Sequence, residues 1–473
     1  MKNRIAGALM LAASLALAPS THAASKSQVA IVNATVIFPD REPGEARAQD
    51  QTILIVGDRI RKIGASAEVK VPGKATVIDA TGKFVIPGLI DGHVHFFQSA
   101  NLYTRPDAAD FNKYRSYAHE TKRNQERLPA TFKVWLANGV TGVVDVGGPM
   151  WNFDMRDVAR RTIAAPHVAV AGPLISMVGR PQLDLGDPPI VRINTTEEAR
   201  ALVRRELKRK PDYIKVWFIN RPGDDLAAQT AIVRATAEAA HAAKVPLAVH
   251  ATELVVAKAA LQAGADFLVH SVFDAPVDDE FIALLKQRRA LYCPTLFVMN
   301  GYAYALSNQW KATPEEERGA DPQILAAMHD LDRMKKDVIP QRVAELMSKR
   351  AAPARPTIAM QNVKRLWDAG IPIVMGTDAG NIGTVHGPSI FREMAYLQEA
   401  GLTPLQVLRS ATTNAAKALR MESAVGSIEV GKLADLVILD ADPLADIGNL
   451  SHAHRVLKGG VVYDPEELMR SIQ

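Results

Sequence analysis

The chain has 473 residues, of which 48% are hydrophobic and 23% are charged, and its formal net charge is +5. This composition is typical of a folded globular protein with one large domain and a smaller companion, and it excludes a disordered chain. Basic residues are interspersed with acidic ones, so nucleic acid is not an expected partner. The only cysteine, Cys293, excludes an internal disulfide, a thiolate zinc site and an iron–sulfur cluster.

Residues 1–24 have the pattern of a secretory signal peptide. Lys2 and Arg4 precede an apolar run that ends near Ala18, and small residues follow it. The run is shorter than the roughly 20 apolar residues that a membrane span needs, so we expect cleavage and no stable membrane insertion. The mature protein is therefore predicted to be periplasmic or secreted.

Short strands separated by turn residues follow this segment, in "SQVAIVNATVIF", "QTILIVGDRIRKIG" and "ATVIDATGKFVIPG". The same pattern returns near the C-terminus in "GSIEVGKLADLVILD" and "HRVLKGGVVY". We predict that residues 25–86 and 425–473 meet in one composite β-domain.

Between these segments, apolar strands alternate with long helical stretches. The predicted strands span residues 84–95, 139–147, 167–176, 212–219, 245–251, 265–272, 290–298 and 371–380. Eight strands separated by helices indicate an α/β fold, a (β/α)8 TIM barrel over residues 87–424, whose active site lies at the C-terminal ends of the strands. Two long insertions, at about 97–138 and 299–370, leave from those ends and are predicted to cover the barrel mouth.

The first barrel strand, within "FVIPGLIDGHVHF", ends with three polar side chains on one face. Asp91, His93 and His95 alternate along the strand, so they project together. Two imidazoles that converge on one point favour a metal site, although the pair alone is a weak signal. Asp91 is interpreted either as an acceptor that orients a ligand imidazole or as a purely structural hydrogen-bonding group.

Further candidate ligands stand near the ends of four more predicted strands: Lys215, His250, His270 and Asp378. Each of them alone has an ordinary explanation, such as a core histidine or a helix cap. Independent accidents would not place all four near the C-terminal ends of their strands, where a barrel builds its site.

Lys215 needs a separate argument, because an ammonium inside a barrel would be poorly solvated and would repel a divalent ion. Burial lowers the pKa of a lysine, and the neutral amine can add carbon dioxide to form a carbamate. The two oxygens of that anion can bridge two metal ions. The alternative is a lysine whose ammonium reaches solvent.

The segments "PGLIDGHVH", "YIKV", "GTDAG" and "GSIEVGKLADLVILD", together with the two strand-end histidines, resemble the amidohydrolase superfamily of metal-dependent hydrolases over about residues 28–463. The chain is most similar to the imidazolonepropionase-related branch, which includes exported Xaa-Pro and Xaa-Arg dipeptidase-like enzymes. The resemblance implies a barrel that interrupts a small β-sandwich. One departure is that relatives often carry Gly-Gly-His after strand three, where this chain has Val178, Gly179 and Arg180.

The resemblance also implies two divalent metal ions, expected to be zinc. The implied ligands are His93, His95 and Asp378 on one ion, His250 and His270 on the other, and N6-carboxylated Lys215 as the bridge. Such a pair lowers the pKa of a bridging water towards about 7 and polarises the substrate carbonyl. Asp378 is then the predicted catalytic residue, which moves a proton from the attacking hydroxide to the leaving group.

Substrate contacts are predicted from three residues that follow strands: Arg180, Arg221 and His386. Each could reach a carboxylate or an oxyanion, and each could equally be solvated. The second insertion is predicted to add apolar walls and cations near the mouth, namely Tyr302, Tyr304, Trp310, Arg333, Lys335 and Lys336.

Three functions remain open at this point. The first is hydrolysis of a small-molecule amide or peptide substrate, with dipeptides and N-acyl amino acids ahead of cyclic amides because an exported enzyme meets peptides and foreign amides. The second is hydrolysis of lactones, esters or phosphotriesters on the same metal pair. The third is a non-catalytic barrel scaffold. A homo-oligomer is compatible with all three.

Overall fold

The computed structural model of the protein describes residues 27–349 and 357–472. The predicted signal peptide, residues 1–24, and its cleavage site lie outside the described residues. Within these two ranges, no helix has both the length and the apolar character that crossing a membrane requires.

The described residues contain strands β1 (Gln28–Ile37), β2 (Arg47–Val56), β3 (Arg59–Ala65), β4 (Thr76–Asp79), β5 (Phe84–Pro87), β6 (Leu89–Val94), β7 (Val140–Asp145), β8 (His167–Val170), β9 (Leu174–Ser176), β10 (Ile190–Arg192), β11 (Ile214–Trp217), β12 (Leu247–His250), β13 (Phe267–Val269), β14 (Leu291–Cys293), β15 (Leu436–Leu439), β16 (Ala453–Lys458) and β17 (Val461–Tyr463).

The α-helices are α1 (Tyr117–Glu126), α2 (Leu128–Ala137), α3 (Asn152–Arg161), α4 (Thr196–Leu207), α5 (Leu226–Ala242), α6 (Leu254–Ala263), α7 (Asp279–Arg288), α8 (Val298–Leu306), α9 (Pro314–Gly319), α10 (Pro322–Met328), α11 (Gln341–Lys349), α12 (Thr357–Asp368), α13 (Ser389–Glu399), α14 (Pro404–Ser410), α15 (Thr413–Ala418) and α16 (Pro465–Arg470).

Strands from both ends of the described chain form one eight-stranded sheet, which we call the terminal sheet. Its order is β17-β16-β15-β5-β1-β2-β3, and β4 pairs with β1. Apolar residues of both segments, such as Ile31, Ile53 and Leu436, pack in one buried cluster. The terminal segments therefore share one β-structure, as the sequence indicates, while the sandwich and its boundaries stay predictions.

The remaining strands are parallel and form two sheets, β6-β7-β8 and β10-β9-β11-β12-β13-β14. Strands β6 and β7 are buried along their whole length, as expected for parallel strands covered on both faces. Isolated parallel bridges connect the sheets at Ala171–Tyr213, Tyr292–Ile373 and Val94–Ala379. The described sheets do not form one continuous closed sheet, although the order of these pairings returns to β6.

Three predicted strands differ from the structure. The strand predicted over 167–176 is divided into β8 and β9, which belong to different sheets. The strand predicted over 84–95 is divided at Gly88 into β5 of the terminal sheet and β6 of the parallel strands. A Cβ atom at Gly88 would lie 2.1 Å from Thr141 Oγ1, so only glycine permits this crossing between sheets. The segment 371–380 forms isolated bridges at Ile373 and Ala379 rather than a continuous strand, and Asp378, with φ 62°, ends its extended backbone.

The two long insertions pack against each other. Apolar residues of the first, including Leu102 and Phe111, share a buried cluster with Leu306 and Trp310 of the second. The cluster also includes Ile382, which follows the last predicted barrel strand. Both insertions therefore lie beside the end of that strand.

Glu206 of α4 is an unpaired acid in this core. Its side chain is 0% exposed, and neither carboxylate oxygen has a hydrogen-bond partner among the described residues. Burial raises the pKa of Glu206 well above its ordinary value of 4.5. Above pH 4.5 the folded protein retains a proton that the unfolded chain loses. Stability is therefore lost as the pH rises towards the folded-state pKa.

We predict that Glu206→Met increases the free energy of unfolding by about 1–3 kcal/mol near neutral pH, because it removes an unpaired polar group from the core. The gain should be larger at about pH 8 than at about pH 5, because the wild-type carboxyl ionises in the unfolded chain but stays protonated in the folded protein, whereas methionine does not titrate. Urea unfolding at both pH values measures the difference. Glu197→Gln, an exposed change on the same helix, is the control. A gain that does not depend on pH would contradict the prediction.

Candidate active site

The candidate ligands gather around a cavity of about 520 Å³ at the C-terminal ends of the parallel strands. Five of them line this cavity: His95, Lys215, His250, His270 and Asp378. His93 is fully buried beside them. Residues from five separate segments of the sequence therefore meet at one place.

The interatomic distances are short enough for a shared ion. The Nε2 atoms of His93 and His95 lie 3.2 and 3.1 Å from Asp378 Oδ1. Ligand atoms of His93, His270 and Asp378 all lie within 4.8 Å of one another, so these three residues could hold a metal ion. The ring centroids of His250 and His270 are 4.4 Å apart, which places His250 next to the group.

The backbone at two of these residues is strained. His270 and Asp378 have φ values of 74° and 62°, in the left-handed region that few side chains adopt. Such conformations persist where the surrounding structure enforces them, and they concentrate at functional sites. Nδ1 of His270 is hydrogen-bonded to Thr295 Oγ1 at 2.8 Å, which leaves Nε2 for a ligand.

Asp145 at the end of β7 sets the orientation of His95. Its carboxylate accepts hydrogen bonds from the backbone N–H groups of Gly147 at 3.1 Å and Phe96 at 3.0 Å. The carbonyl oxygen of Gly147 lies 2.7 Å from Nδ1 of His95. This contact places the proton on Nδ1 and leaves Nε2 free to bind a metal. Burial raises the pKa of Asp145 to about 7.

Asp91 binds backbone rather than an imidazole, which corrects the first interpretation given for it. Its carboxylate accepts from the N–H groups of His93 at 3.1 Å and Thr377 at 3.0 Å, and from the Thr377 hydroxyl at 2.6 Å. A short side chain reaches the amide two residues ahead more readily than a ring beyond it. Asp91 thereby joins the end of β6 to the segment that carries Asp378. Burial raises the pKa of Asp91 to about 7.

Asn381 is a site residue that the sequence did not reveal. Its amide nitrogen donates to Asp378 Oδ1 at 2.7 Å. Its amide oxygen accepts from Arg105 Nη1 at 2.9 Å and from the Tyr302 hydroxyl at 2.6 Å. These two donors determine which way the amide faces, so its N–H must point at Asp378. Arg105 and Tyr302 belong to different insertions. In the sequence, the only signal for Asn381 is that this polar residue directly follows the "GTDAG" segment.

Burial controls the charges of the ligands. Lys215 is 1% exposed and its Nζ has no hydrogen-bond partner among the described residues. Burial lowers the pKa of Lys215 to about 7, and burial holds the pKa values of His250 and His270 well below their ordinary range. At neutral pH both imidazoles are therefore unprotonated, and so is a large fraction of the Lys215 amine. Their nitrogen lone pairs are free to bind a metal ion.

Asp378 keeps its negative charge despite being buried. Burial opposes ionisation, but the adjacent His93 and His95 outweigh it and hold the pKa of Asp378 well below its ordinary value. Neutral imidazoles, an unpartnered buried amine and a carboxylate form a mixed nitrogen and oxygen donor set. That set fits a divalent metal site of the zinc type.

The three predicted substrate contacts have different positions. Arg180 lies at the cavity rim, with its guanidinium 4.7 Å from the ring centroid of Trp217, a lining residue. Arg221 is exposed and pairs with Asp224 in its own turn, and it does not line the cavity. His386 is buried with Nε2 3.2 Å from the backbone oxygen of His95, behind the ligand strand, and it does not line the cavity either.

The second insertion contributes less than predicted to the cavity. Among the six residues named for it, Tyr302 lines the cavity, while Tyr304 and Trp310 pack in the cluster between the insertions. Arg333 pairs with Asp330 of its own turn. Packing between the insertions therefore takes up two of the three aromatic side chains, and Arg333, Lys335 and Lys336 are exposed and do not line the cavity.

Comparison with known proteins places these observations in a family. Residues 84–462 match the Amidohydrolase family. Imidazolonepropionase of Geobacillus kaustophilus is 40% identical over 106 residues, which cover 21% of this chain and 24% of that protein. Imidazolonepropionase of Streptomyces avermitilis is 27% identical over 429 residues, which cover 87% of this chain and 84% of that protein. The chain thus spans about a quarter of the length of the first of these relatives.

Among solved structures, a Xaa-Pro dipeptidase with methionine bound in its active site is similar in fold. The TM-score is 0.70 at 24% identity, and the match covers 93% of this chain and 100% of the other. This likeness supports an α/β architecture. Since the family match extends over most of the described residues and includes every candidate ligand, the chain belongs to the amidohydrolase family.

Proposed function

We propose that the protein is an exported, binuclear metal-dependent hydrolase that cleaves the amide bond of small substrates, either dipeptides or N-acyl amino acids. The observation that carries this proposal is the wholly buried, unpartnered amine of Lys215 among histidines and a carboxylate. Membership of the amidohydrolase family and the similarity to a dipeptidase structure support carbon–nitrogen bond hydrolysis. Export rests on the pattern of residues 1–24 alone.

The proposal includes the architecture inferred from the sequence. Apart from β10, which pairs with the far side of β9, the parallel strands and the segment 371–380 follow one another in chain order, and their pairings lead back to β6. We infer that they form the (β/α)8 barrel of residues 87–424. The terminal sheet then belongs to the small β-sandwich domain of residues 25–86 and 425–473.

The proposed ligands are His93, His95 and Asp378 for one ion, His250 and His270 for the other, and N6-carboxylated Lys215 for both. When bound, two divalent ions, proposed to be zinc, supply Lewis-acid activation of water and of the amide carbonyl. Carboxylation requires a neutral amine: its nitrogen bonds to the carbon of carbon dioxide and releases a proton. A pKa of about 7 for Lys215 makes that amine abundant near neutral pH.

Asp378 moves the proton. Because its pKa is held low, Asp378 is ionised and accepts a proton from the attacking water. It then delivers this proton to the leaving nitrogen, which departs as an amine. Asn381 donates to Oδ1 of Asp378 and so fixes the direction in which the carboxylate faces.

The function is tested with metal-loaded protein on dipeptides, N-acyl amino acids, cyclic amides, lactones, aryl esters and phosphotriesters. We expect about two divalent ions per chain by metal analysis and the highest kcat/KM on the linear amides. Asp378→Asn should lower kcat by at least about 100-fold. A far higher kcat/KM on lactones or phosphotriesters would refute the amide assignment, and a protein that binds no metal would refute the site.

Lys215→Met tests the bridging role, because methionine keeps the volume and removes the amine. We expect the loss of at least one bound ion and a drop in kcat of about 100-fold or more. Added formate or acetate should restore part of both, since a small carboxylate can take the place of the carbamate. Lys258→Met, which removes a lysine that pairs with Asp278 and Glu280 outside the cavity, is the control. Normal metal content and activity in Lys215→Met would show that the lysine is not a ligand.

Asn381→Leu tests the orientation of Asp378. The change removes the donor to Oδ1, so kcat should fall by about 10–100-fold while KM changes much less. Tyr302→Phe removes only one of two donors to the Asn381 oxygen, and its effect on kcat should be smaller. Steady-state kinetics, with thermal unfolding to verify folding, provide the measurement. An effect on KM alone would show that Asn381 contacts substrate instead of positioning Asp378.

A further inference from the structure

Much of the cavity lining beside the candidate ligands is apolar. Leu174, Leu183 and Ile190 belong to one buried cluster, against which Trp217 packs, and all four line the cavity. Phe273 and Met299 also line it and are 48% and 65% exposed. Apolar surface of this kind at a cavity mouth is typical of a binding site for an apolar group.

Negative and positive side chains are not balanced in and around the cavity. Among the described lining residues, Asp378 is the only carboxylate, and its Oδ1 already accepts from Asn381. Both carboxylate oxygens of the nearby Asp107 are already paired. Arg105 donates to each of them at 2.7 Å, and Arg180 Nε lies 3.2 Å from Oδ2. Two guanidinium groups thus share one carboxylate and leave a net positive charge.

This distribution disfavours a substrate ammonium. An ammonium placed in the cavity would find no free carboxylate among the described lining residues and would face Arg105. Burial of an unpaired charge is unfavourable, whereas burial of an apolar group is favourable.

Neutral polar groups are present for the amide itself. Gln98 lines the cavity, is 2% exposed, and its Oε1 has no hydrogen-bond partner among the described residues. A side-chain amide can accept from a substrate N–H or donate to a carbonyl, and it carries no charge. The cavity of about 520 Å³ is within the range of small-molecule sites, roughly 300–1,000 Å³.

We propose, on the basis of the function proposed above, that the substrates are N-acyl amino acids with a large apolar acyl group, and that the α-ammonium of a dipeptide is selected against. The acyl group lies against Trp217, Leu183, Phe273 and Met299. Gln98 contacts the scissile amide. The net positive charge around Asp107 is compatible with the carboxylate of the amino-acid part.

A matched substrate pair tests this proposal. 3-Phenylpropanoyl-amino acids and phenylalanyl-amino acids differ only in the α-ammonium, and acetyl-amino acids lack the phenyl group. The three compounds are compared with the same amino-acid part, the one that gives the highest activity. We expect kcat/KM to be at least about tenfold higher for the 3-phenylpropanoyl compound than for either of the others. A dipeptide cleaved as well as its desamino partner, or an acetyl compound cleaved as well as the 3-phenylpropanoyl one, would overturn the proposal.

Binding to metal-free protein gives a second readout. Calorimetric titration should show a Kd at least about tenfold lower for 3-phenylpropanamide than for phenylalaninamide, because only the latter carries an ammonium. Equal Kd values would count against the charge argument. The result does not depend on catalysis.

Two variants locate the effect in the cavity. Met299→Asp places a carboxylate at the mouth and should improve the cleavage of the dipeptide relative to its desamino partner by at least about fivefold. Val255→Asp adds the same charge at an exposed valine that does not line the cavity, and the ratio should stay unchanged. Equal effects of both variants would refute the cavity assignment.

The failure of this inference can be distinguished from the failure of the proposed function. If metal-loaded protein cleaves none of the amides, the proposed function fails. If it cleaves dipeptides best, only this inference fails.

Discussion

The carboxylate of Asp91 makes the contact on which the site depends. It binds the backbone N–H of His93 and the backbone and hydroxyl of Thr377, and so ties the first parallel strand to the segment that carries Asp378. These two segments are far apart in the sequence, and backbone hydrogen bonds reinforce the connection, including one from the Asp378 N–H to the His93 carbonyl oxygen at 2.7 Å. The 3.2 Å approach of His93 to Asp378 follows from these contacts together. Asp145 has a comparable role for His95, through the carbonyl of Gly147.

Burial then determines the chemistry of the side chains that are held there. It keeps His250 and His270 neutral and lowers the pKa of Lys215 to about 7, so lone pairs are available near neutral pH. Asp378 remains charged because His93 and His95 are adjacent. A buried site with neutral imidazoles and one carboxylate offers donors that can bind cations without first losing protons from those histidines.

The two insertions connect the site to substrate selection. Each sends one polar side chain, Arg105 or Tyr302, to the oxygen of Asn381, and thereby both act on Asp378. The same Arg105 pairs with Asp107, so a substrate ammonium would have to compete with a guanidinium for that carboxylate. Under the proposed function, Arg105 therefore affects both the orientation of Asp378 and the charge near the substrate.

The sequence by itself determined the positions that depend on local geometry. Period-two alternation placed His93 and His95 on one face, and strand ends identified His250, His270 and Asp378, because strand direction and side-chain alternation are local properties. Local patterns also misplaced some features: they did not show the crossing at Gly88 or the left-handed backbone at Asp378, which arise from close approach between distant segments. Only the tertiary structure decided that Asn381, Arg105 and Asp145 belong to the site while Arg221 and His386 do not line the cavity. Hydrogen bonds between residues that are hundreds of positions apart depend on how loops pack, and no short-range periodicity encodes that packing.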